Sequence, residues 1–343
     1  MDATDATDVS AAWDADNQAW WDWYVGLADN DAEGSRPAPQ TPAVLQPDPS
    51  LPVLSFEALA DELAQPYDLS AKAIASFRAE GFVKLPRVLS PRAVVTLRRL
   101  IVRTLEAEFA ATLDSRAGDG SPQAGRRFFS SEMVWLDDPL VRLFVLSPRI
   151  AKISADLLGV PSVRLYHDNL MSKEPGCGRT PWHYDDHHFP LATHDVVTAW
   201  IAAQAIPEAM GPLAFAKDMD AWRLVEDIPF NKTDTSYDRL VAEAFRTRNV
   251  PVEAGGFGVG EVSFHHNLSF HTAGPNETAF SRCVLANTYF ADGARVVDAP
   301  TMVSGDWRKF LPGVEPGGLA ASHLNPVCWP AAETWADEPK DDA

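Results

Sequence analysis

Two short histidine-containing segments carry the residue types that bind a metal ion. The first, 180–190, holds His183 and Asp185 two positions apart, and the second, 269–276, holds His271. Side chains at positions i and i+2 of an extended chain lie on the same side, so His183 and Asp185 can reach one ion. Two imidazoles and one carboxylate are the ligands of non-haem Fe(II) oxygenases, and they leave coordination positions open. The spacing therefore predicts an Fe(II) site that takes its third ligand, His271, from another strand.

A single arginine follows the second segment. Arg282 lies eleven residues after His271, at the start of a run that is predicted to be a strand. In that strand Arg282, Val284, Ala286 and Thr288 share one face. The small neighbours leave room for a ligand beside the guanidinium, and the hydroxyl of Thr288 can add a hydrogen bond to it.

A zinc site is the alternative use of the first segment. His187 and His183 are four residues apart, and with His188 they imitate the histidine pair that binds zinc from one helical face. Pro181 and Pro190 crowd the segment, however, and disfavour a stable helix. We therefore expect His187 and His188 to lie in a polar loop, with substrate contact as their alternative role.

These segments belong to a chain that changes from helical to strand patterns near residue 161. Helical spacing predicts helices at 56–63, 69–80, from 90 to about 109, and at 148–158. Strands are predicted at 82–85, 163–171, 196–205, 213–216, 258–265 and 282–290. Short strands at this spacing are typical of a sandwich or barrel. Neither GxGxxG nor GxxxxGK[ST] follows a strand, which leaves nucleotide-binding folds without support.

Four further candidates lie on or beside these strands. His167 and Asn169 share a strand face with Leu165, and we expect that face to look into the barrel, where His167 and Asn169 can contact a substrate. His265 precedes His271 by six residues and is expected to be structural.

Taken together, the ordered motifs resemble those of the phytanoyl-CoA dioxygenase family of Fe(II)- and 2-oxoglutarate-dependent oxygenases. The matching pieces are 81–90, 181–185 (Pro-Trp-His-Tyr-Asp), 198–202, 211–213, 271–276 (His-Thr-Ala-Gly-Pro-Asn), Arg282 and 307–330. The resemblance implies a mainly β fold, a double-stranded β-helix (jelly-roll) core with flanking helices. It also implies that His183, Asp185 and His271 bind iron and that Arg282 binds the distal carboxylate of 2-oxoglutarate. The further co-substrate contacts that we predict are Thr288, Trp200, Tyr184 and Leu165.

The resemblance further implies an oxidoreductase that uses Fe(II), 2-oxoglutarate and O2 and releases succinate and CO2. We expect it to hydroxylate an unactivated C–H bond of a small metabolite or natural-product intermediate. Two alternatives stay open. A cupin-like metalloenzyme would use the same ligands without 2-oxoglutarate, which Arg282 counts against, and an inactive metal-binding or interaction protein would not need the complete set of three ligands.

Composition limits the partners. The 343 residues include 29 basic and 48 acidic ones, a net charge of −19, which argues against nucleic acid as a partner. No run approaches 18 apolar residues, so no membrane-spanning helix is expected. The first residues lack the basic and apolar regions of a signal peptide, and the three cysteines are far apart. These features predict a cytoplasmic enzyme with a small-molecule substrate.

The two ends differ from the middle. Residues 1–52 form an acidic extension with a Pro-rich linker, and the tryptophans of that extension predict a short helix around 12–28 that docks on the body or on a second copy of the chain. The oxygenase domain is predicted at 53–332, with a charged insertion near 219–256 that is expected to be a lid and to be helical at 236–247. Residues 333–343 read as an acidic tail.

Overall fold

The computed structural model describes residues 51–114, 128–229, 236–300, 307–333 and 335–336. The predicted N-terminal helix, and with it the predicted contact between two copies, lies outside these residues, as does most of the acidic tail. Both stay predictions, and so do the boundaries 53–332 of the oxygenase domain.

The fold contains two antiparallel sheets, a larger one and a smaller one. The strand order of the larger sheet is β1–β8–β5–β10–β3–β11, and β2 also pairs with β3. The strands are β1 (Phe82–Leu85), β2 (Phe128–Glu132), β3 (Val163–Lys173), β5 (Val196–Ala202), β8 (Val262–His266), β10 (Arg282–Ala291) and β11 (Val327–Trp329).

A smaller sheet faces it, in the order β4–β9–β6–β7. Its strands are β4 (Thr180–His183), β6 (Leu213–Ala216), β7 (Val252–Glu253) and β9 (His271–Ala273). Two facing antiparallel sheets built from strands far apart in the chain form a jelly roll, so the predicted fold class is confirmed.

Helices cover the outer face of the larger sheet. They are α1 (Phe56–Ala64), α2 (Ala71–Glu80), α3 (Pro91–Asp114), α4 (Pro139–Val145) and α5 (Pro148–Leu158), while α6 (Ser236–Thr247) and α7 (Trp307–Phe310) lie elsewhere. Local signals set their ends: the Ser147 side chain accepts a hydrogen bond from the backbone of Ile150 at the start of α5, and Gly81 ends α2 with a φ of 83°. None of the described helices is both long and apolar enough to cross a membrane.

Strand alternation separates the packed core from the site. On β10, Leu285 and Tyr289 belong to the main core cluster together with residues of α1, α3 and α5. Val284 and Ala286 point the other way, into a second cluster that includes Phe215 of the smaller sheet. The residues at even positions of β10 therefore face the space between the sheets.

The charged insertion contributes a helix that packs against the smaller sheet. Its helix α6 packs Val241 and Phe245 against Trp182 and Phe270, which lie on the outer face of the smaller sheet. Asp238 at the start of α6 holds this arrangement, because its Oδ1 accepts a hydrogen bond from the backbone of Trp182 at 2.7 Å. The predicted helix at 236–247 is present and packs on the outer face of the smaller sheet. The lid stays a prediction.

A buried carboxyl on the helix-covered face makes the stability of the fold depend on pH. Asp168 on β3 is fully buried; its Oδ2 accepts a hydrogen bond from the backbone of Val134 at 3.1 Å, and its Oδ1 has no partner among the described residues. The Oδ1 atom of its cross-strand neighbour Asn287 is also buried without a hydrogen-bond partner among the described residues. Burial raises the pKa of Asp168 to about 7, so the carboxyl folds in its protonated form.

We expect Asp168→Asn to reduce the loss of stability as pH rises. Between pH 4 and 7 the unfolded carboxyl ionises while the folded one stays protonated, so wild-type stability falls over that window by up to about 4 kcal/mol and then levels off. The Asn variant does not ionise and should lose less stability between pH 5 and 8 in urea unfolding. The exposed Asp137→Asn should behave like the wild type, and parallel curves for wild type and Asp168→Asn would contradict the expectation.

Candidate metal centre

The two candidate histidines lie opposite each other on the smaller sheet. His183 ends β4 and His271 begins β9; they are register partners, with ring centroids 4.1 Å apart. Asp185 starts a single 3-10 turn directly after β4. Its Oδ1 lies 3.8 Å from the Nε2 of each histidine, and the three ligand atoms lie within 4.8 Å of one another. The structure thus brings the three predicted metal ligands together.

Local hydrogen bonds orient each ligand. His183 donates from Nδ1 to the carbonyl of Pro181 at 2.8 Å, and His271 donates from Nδ1 to the carbonyl of Ser269 at 3.0 Å. A proton on Nδ1 leaves the lone pair on Nε2, the atom that faces the centre. The backbone of Asp185 donates to the carbonyl of Asn267 at 2.8 Å, which ties the turn to the end of β8.

The charge states suit a divalent cation. Burial lowers the pKa of both His183 and His271, so both rings are neutral at neutral pH. Burial alone would raise the pKa of Asp185, but attraction to His271, His265 and His183 in their protonated forms, together with a hydrogen bond from His265, holds that pKa well below its usual range, so the carboxylate is ionised at neutral pH. Two neutral imidazoles and one carboxylate are the donor set that fits Fe(II).

The sequence missed one residue of this centre. His265, expected to be structural, is 2% exposed and places its Nε2 3.3 Å from Oδ2 of Asp185. A signal was available in the alternation of β8, where Ser263 and His265 are polar while Val262 and Phe264 are apolar. That alternation places His265 on the inner face of the larger sheet.

At the other end of the inner face, two buried cations join the sheets. Arg282 donates from Nη1 to the carbonyl of Gly211, and its guanidinium carbon lies 5.3 Å from the ring centroid of Trp200. Its cross-strand neighbour Lys173 donates from Nζ to the carbonyl of Gly274 at 2.8 Å. Gly211 has a φ of 69°, and a Cβ there would lie 2.2 Å from the Gly274 carbonyl oxygen, so the two loops approach closely because Gly211 has no side chain.

Between the metal ligands and the cations, the larger sheet presents a polar row. His265, Thr198, Thr288 and His167 are consecutive cross-strand neighbours on β8, β5, β10 and β3. The hydroxyls of Thr198 and Thr288 are 3.1 Å apart, and the His167 ring stacks on Phe310 at 4.7 Å between centroids. Thr288 and His167 therefore lie on the inner face, as predicted from strand alternation.

Leu165 does not share that face. The register between β3 and β10 shifts between Leu165 and His167, so that Tyr166 is an extra residue of β3 at a bulge. Such a bulge reverses the alternation beyond it. Leu165 is fully buried in the core under the helices with Tyr289, so the structure does not bring this predicted co-substrate contact to the inner face.

Tyr184 is also placed elsewhere. It lies between His183 and Asp185, and in an extended chain the middle residue points to the opposite side from its neighbours. Its ring packs on Phe270 on the outer face of the smaller sheet, 4.8 Å between centroids. The structure therefore does not bring Tyr184 to the inner face with Arg282 and Thr288, and its contact with the co-substrate stays a prediction.

The remaining predicted contacts lie near the centre. Asn169 is on the inner face of β3, where its Oδ1 accepts a hydrogen bond from Ser130 at 2.8 Å. His188 lies in the 3-10 turn that begins at Asp185, and the backbone of His187 lies there too. The side chain of His187 lies outside the described part of the chain. The turn contains no helix long enough for the alternative zinc pair.

Comparison with known proteins bears on this geometry. A family model described as phytanoyl-CoA dioxygenase (PhyH) matches residues 77–284, more than half of the chain, and this range includes His183, Asp185, His271 and Arg282. The chain belongs to the phytanoyl-CoA dioxygenase family. That membership confirms the predicted enzyme class, a 2-oxoglutarate-dependent dioxygenase, and its cofactors Fe(II), 2-oxoglutarate and O2.

Solved structures agree with the family. The non-haem α-ketoglutarate-dependent carbocyclase SnoK from nogalamycin biosynthesis is 25% identical, with a TM-score of 0.60 over 77% of this chain and 99% of that one. The epimerase SnoN of the same biosynthesis is 21% identical, with a TM-score of 0.54 over 75% and 95%. EctD from S. alaskensis is 18% identical, with a TM-score of 0.55 over 76% and 90%, and shares the fold. No curated protein sequence matches the chain.

Proposed function

We propose that this chain hydroxylates an unactivated C–H bond of a small, polar metabolite, with 2-oxoglutarate and O2 as co-substrates and succinate and CO2 as products. The observation that carries the proposal is the placement of buried Arg282 on the sheet that faces the cluster of His183, Asp185 and His271. A metal cluster alone fits many enzymes. A cluster with a buried guanidinium on the opposite wall fits a co-substrate that binds metal at one end and carries a carboxylate at the other.

The three ligands hold the metal through Nε2 of His183, Nε2 of His271 and Oδ1 of Asp185. The iron and 2-oxoglutarate, once bound, supply the oxidative chemistry, and the residues of the chain bind, orient and exclude water. The side chain of Asp185 is 16% exposed and that of His183 is 10% exposed. This low exposure keeps bulk water away from the reacting centre.

Arg282 binds the distal carboxylate of 2-oxoglutarate in this proposal. A guanidinium offers two parallel N–H donors to one carboxylate. The site is buried, so the charge of Arg282 acts on the carboxylate with little screening, while Lys173 beside it holds the Gly274 loop through its hydrogen bond to that carbonyl. Trp200 lies against the Arg282 guanidinium and restricts its motion, so the arginine is held in place before the co-substrate binds.

The polar row supports a polar substrate. Thr198, Thr288 and His167 place hydroxyl and imidazole groups across the inner face, and Asn169 adds an amide one row away. A fatty acyl chain cannot use the remaining hydrogen-bonding capacity of these groups, whereas a polar substrate can. A net charge of −19 also disfavours a polyanionic thioester of coenzyme A. The likeness to SnoK, which acts in nogalamycin biosynthesis, supports a natural-product intermediate as the substrate.

We expect the anaerobically loaded enzyme to form succinate in proportion to the product when O2 and a panel of hydroxylated natural-product intermediates are supplied. Labelled O2 should place one oxygen atom in the organic product. A product that gains no oxygen would contradict hydroxylation and leave the 2-oxoglutarate assignment standing. Absence of 2-oxoglutarate consumption with and without substrates, by a protein that binds iron, would contradict the proposed function as a whole.

A further inference from the structure

The two oxygens of the Asp185 carboxylate face different partners. Oδ1 lies 3.8 Å from Nε2 of His183 and 3.8 Å from Nε2 of His271, at the point where a metal would bind all three. Oδ2 lies 3.3 Å from Nε2 of His265, which comes from the opposite sheet. The Asp185 carboxylate thus contacts histidines of both sheets.

We propose that His265 is a positioning residue that occupies Oδ2 of Asp185, so that the carboxylate binds iron through Oδ1 alone. This inference rests on the proposed function, since it concerns the same iron. It assigns a role to a residue that is not itself a ligand.

The protonation pattern of the His265 ring follows from its partner. The Asp185 carboxylate accepts hydrogen bonds and donates none when it is ionised. The Nε2 atom that faces it must therefore carry a proton, since two lone pairs at this distance would repel each other. Nδ1 of His265 has no hydrogen-bond partner among the described residues. The contact with Asp185 is consequently what compensates for burying this polar ring.

Packing holds the ring in that orientation. The His265 ring lies 4.6 Å from the His271 ring and 5.6 Å from the Phe215 ring, measured between centroids. Its cross-strand neighbours are Phe82 and Thr198. Because the His265 ring is fixed on an interior strand of the larger sheet, it is a rigid hydrogen-bond donor. A rigid donor holds a carboxylate in one orientation better than a mobile donor does.

The end of β8 also fixes the backbone of the ligand turn. The amide groups of Asp185 and Asp186 both donate to the carbonyl of Asn267, at 2.8 and 3.0 Å. The side-chain amide of Asn267 donates to Oδ1 of Asp186 at 2.7 Å. Asn267 therefore holds the main chain of the ligand turn, while His265 contacts the side chain of the carboxylate ligand.

Single-oxygen binding matters because of the number of coordination positions. An octahedral ion with three protein donor atoms keeps three positions, enough for two atoms of 2-oxoglutarate and for O2. A carboxylate that used both oxygens would take a fourth position. A donor on Oδ2 disfavours that outcome, since the oxygen would have to give up a hydrogen bond in a buried site.

The test compares variants of His265 in anaerobic Fe(II) titrations of the metal-free protein, which need no turnover. His265→Phe keeps a ring of similar size beside Phe82 and Phe215 but removes the donor, and we expect about 10- to 100-fold weaker Fe(II) binding. His265→Gln can place an amide N–H near the position of Nε2 and should recover most of the affinity. The visible charge-transfer band of the Fe(II)–2-oxoglutarate complex should shift in the Phe variant and return in the Gln variant.

A neighbouring histidine supplies the control. His266 lies on the opposite face of β8, 6.2 Å from the Phe77 ring, and His266→Gln should bind Fe(II) like the wild type. If His265→Phe does not fold, His265→Asn serves instead, since its shorter amide cannot reach Asp185, and it should show the same loss.

Three results would overturn the inference: wild-type affinity and an unshifted band in a folded His265→Phe or His265→Asn, no recovery in the Gln variant, or an equal loss in the His266 control. These results leave the proposed function intact. A wild-type protein that shows neither Fe(II) binding nor a band with 2-oxoglutarate would instead contradict the proposed function.

Discussion

Asp185→Ala should abolish turnover and weaken Fe(II) binding by at least about 100-fold. Loss of a residue that only supports a ligand typically costs 10- to 100-fold in metal affinity, and loss of the single anionic ligand should exceed that. The fold should persist, because the removed group is a charge in a buried position and not part of an apolar cluster. The measurement is an anaerobic Fe(II) titration together with thermal unfolding.

Two companion variants sharpen this expectation. Asp185→Asn keeps the shape but not the charge and should fall between the Ala variant and the wild type. Asp195→Ala removes an exposed carboxylate from the loop before β5 and should bind Fe(II) normally. Wild-type affinity in Asp185→Ala would show that Asp185 is not a ligand.

Arg282→Met should weaken 2-oxoglutarate binding by about 30-fold to a few thousand-fold. Truncating one partner of a buried charge pair costs roughly 2–5 kcal/mol, because the remaining carboxylate is desolvated without its partner, and each 1.4 kcal/mol is a factor of ten. Arg282→Lys keeps the charge but loses the two parallel donors, so its affinity should lie between. The measurement is a 2-oxoglutarate titration of the iron-loaded protein.

The control for Arg282 addresses net charge. In a chain with a net charge of −19, removal of any cation makes the overall field more negative. Arg92→Met removes an exposed cation at the start of α3 and should leave the 2-oxoglutarate affinity unchanged. Fe(II) binding should change little in each variant. Unchanged 2-oxoglutarate affinity in Arg282→Met would remove Arg282 from the co-substrate site.

Local rules were sufficient for much of the fold. The helix at 148–158 and the strand at 213–216 have the predicted bounds, because a capping serine, prolines, glycines and apolar spacing are all local signals. The inward positions of Arg282 and Thr288 followed from strict alternation along β10. The short strands β4 and β9 were not predicted, since strands of four and three residues carry too little pattern of their own.

The placements that the sequence did not predict depend on tertiary structure. Leu165 turns away from the inner face because of the bulge beside it, and that bulge depends on pairing with β10. The packing of α6 on the smaller sheet depends on the contact of Asp238 with β4, which no local pattern shows. The role of His265 could not be predicted because it depends on the contact with Asp185. Asp185 lies eighty positions earlier in the chain and meets His265 only when the two sheets face each other.

The pairing of His183 with His271 ties metal binding to local unfolding. Both residues lie on a sheet whose strands are two to four residues long, so few backbone hydrogen bonds resist its opening. In the proposed site an ion bound across β4 and β9 binds only while they are paired, and mass action then adds its binding free energy to the cost of separating them. We therefore expect the smaller sheet to open less often as the concentration of free iron rises.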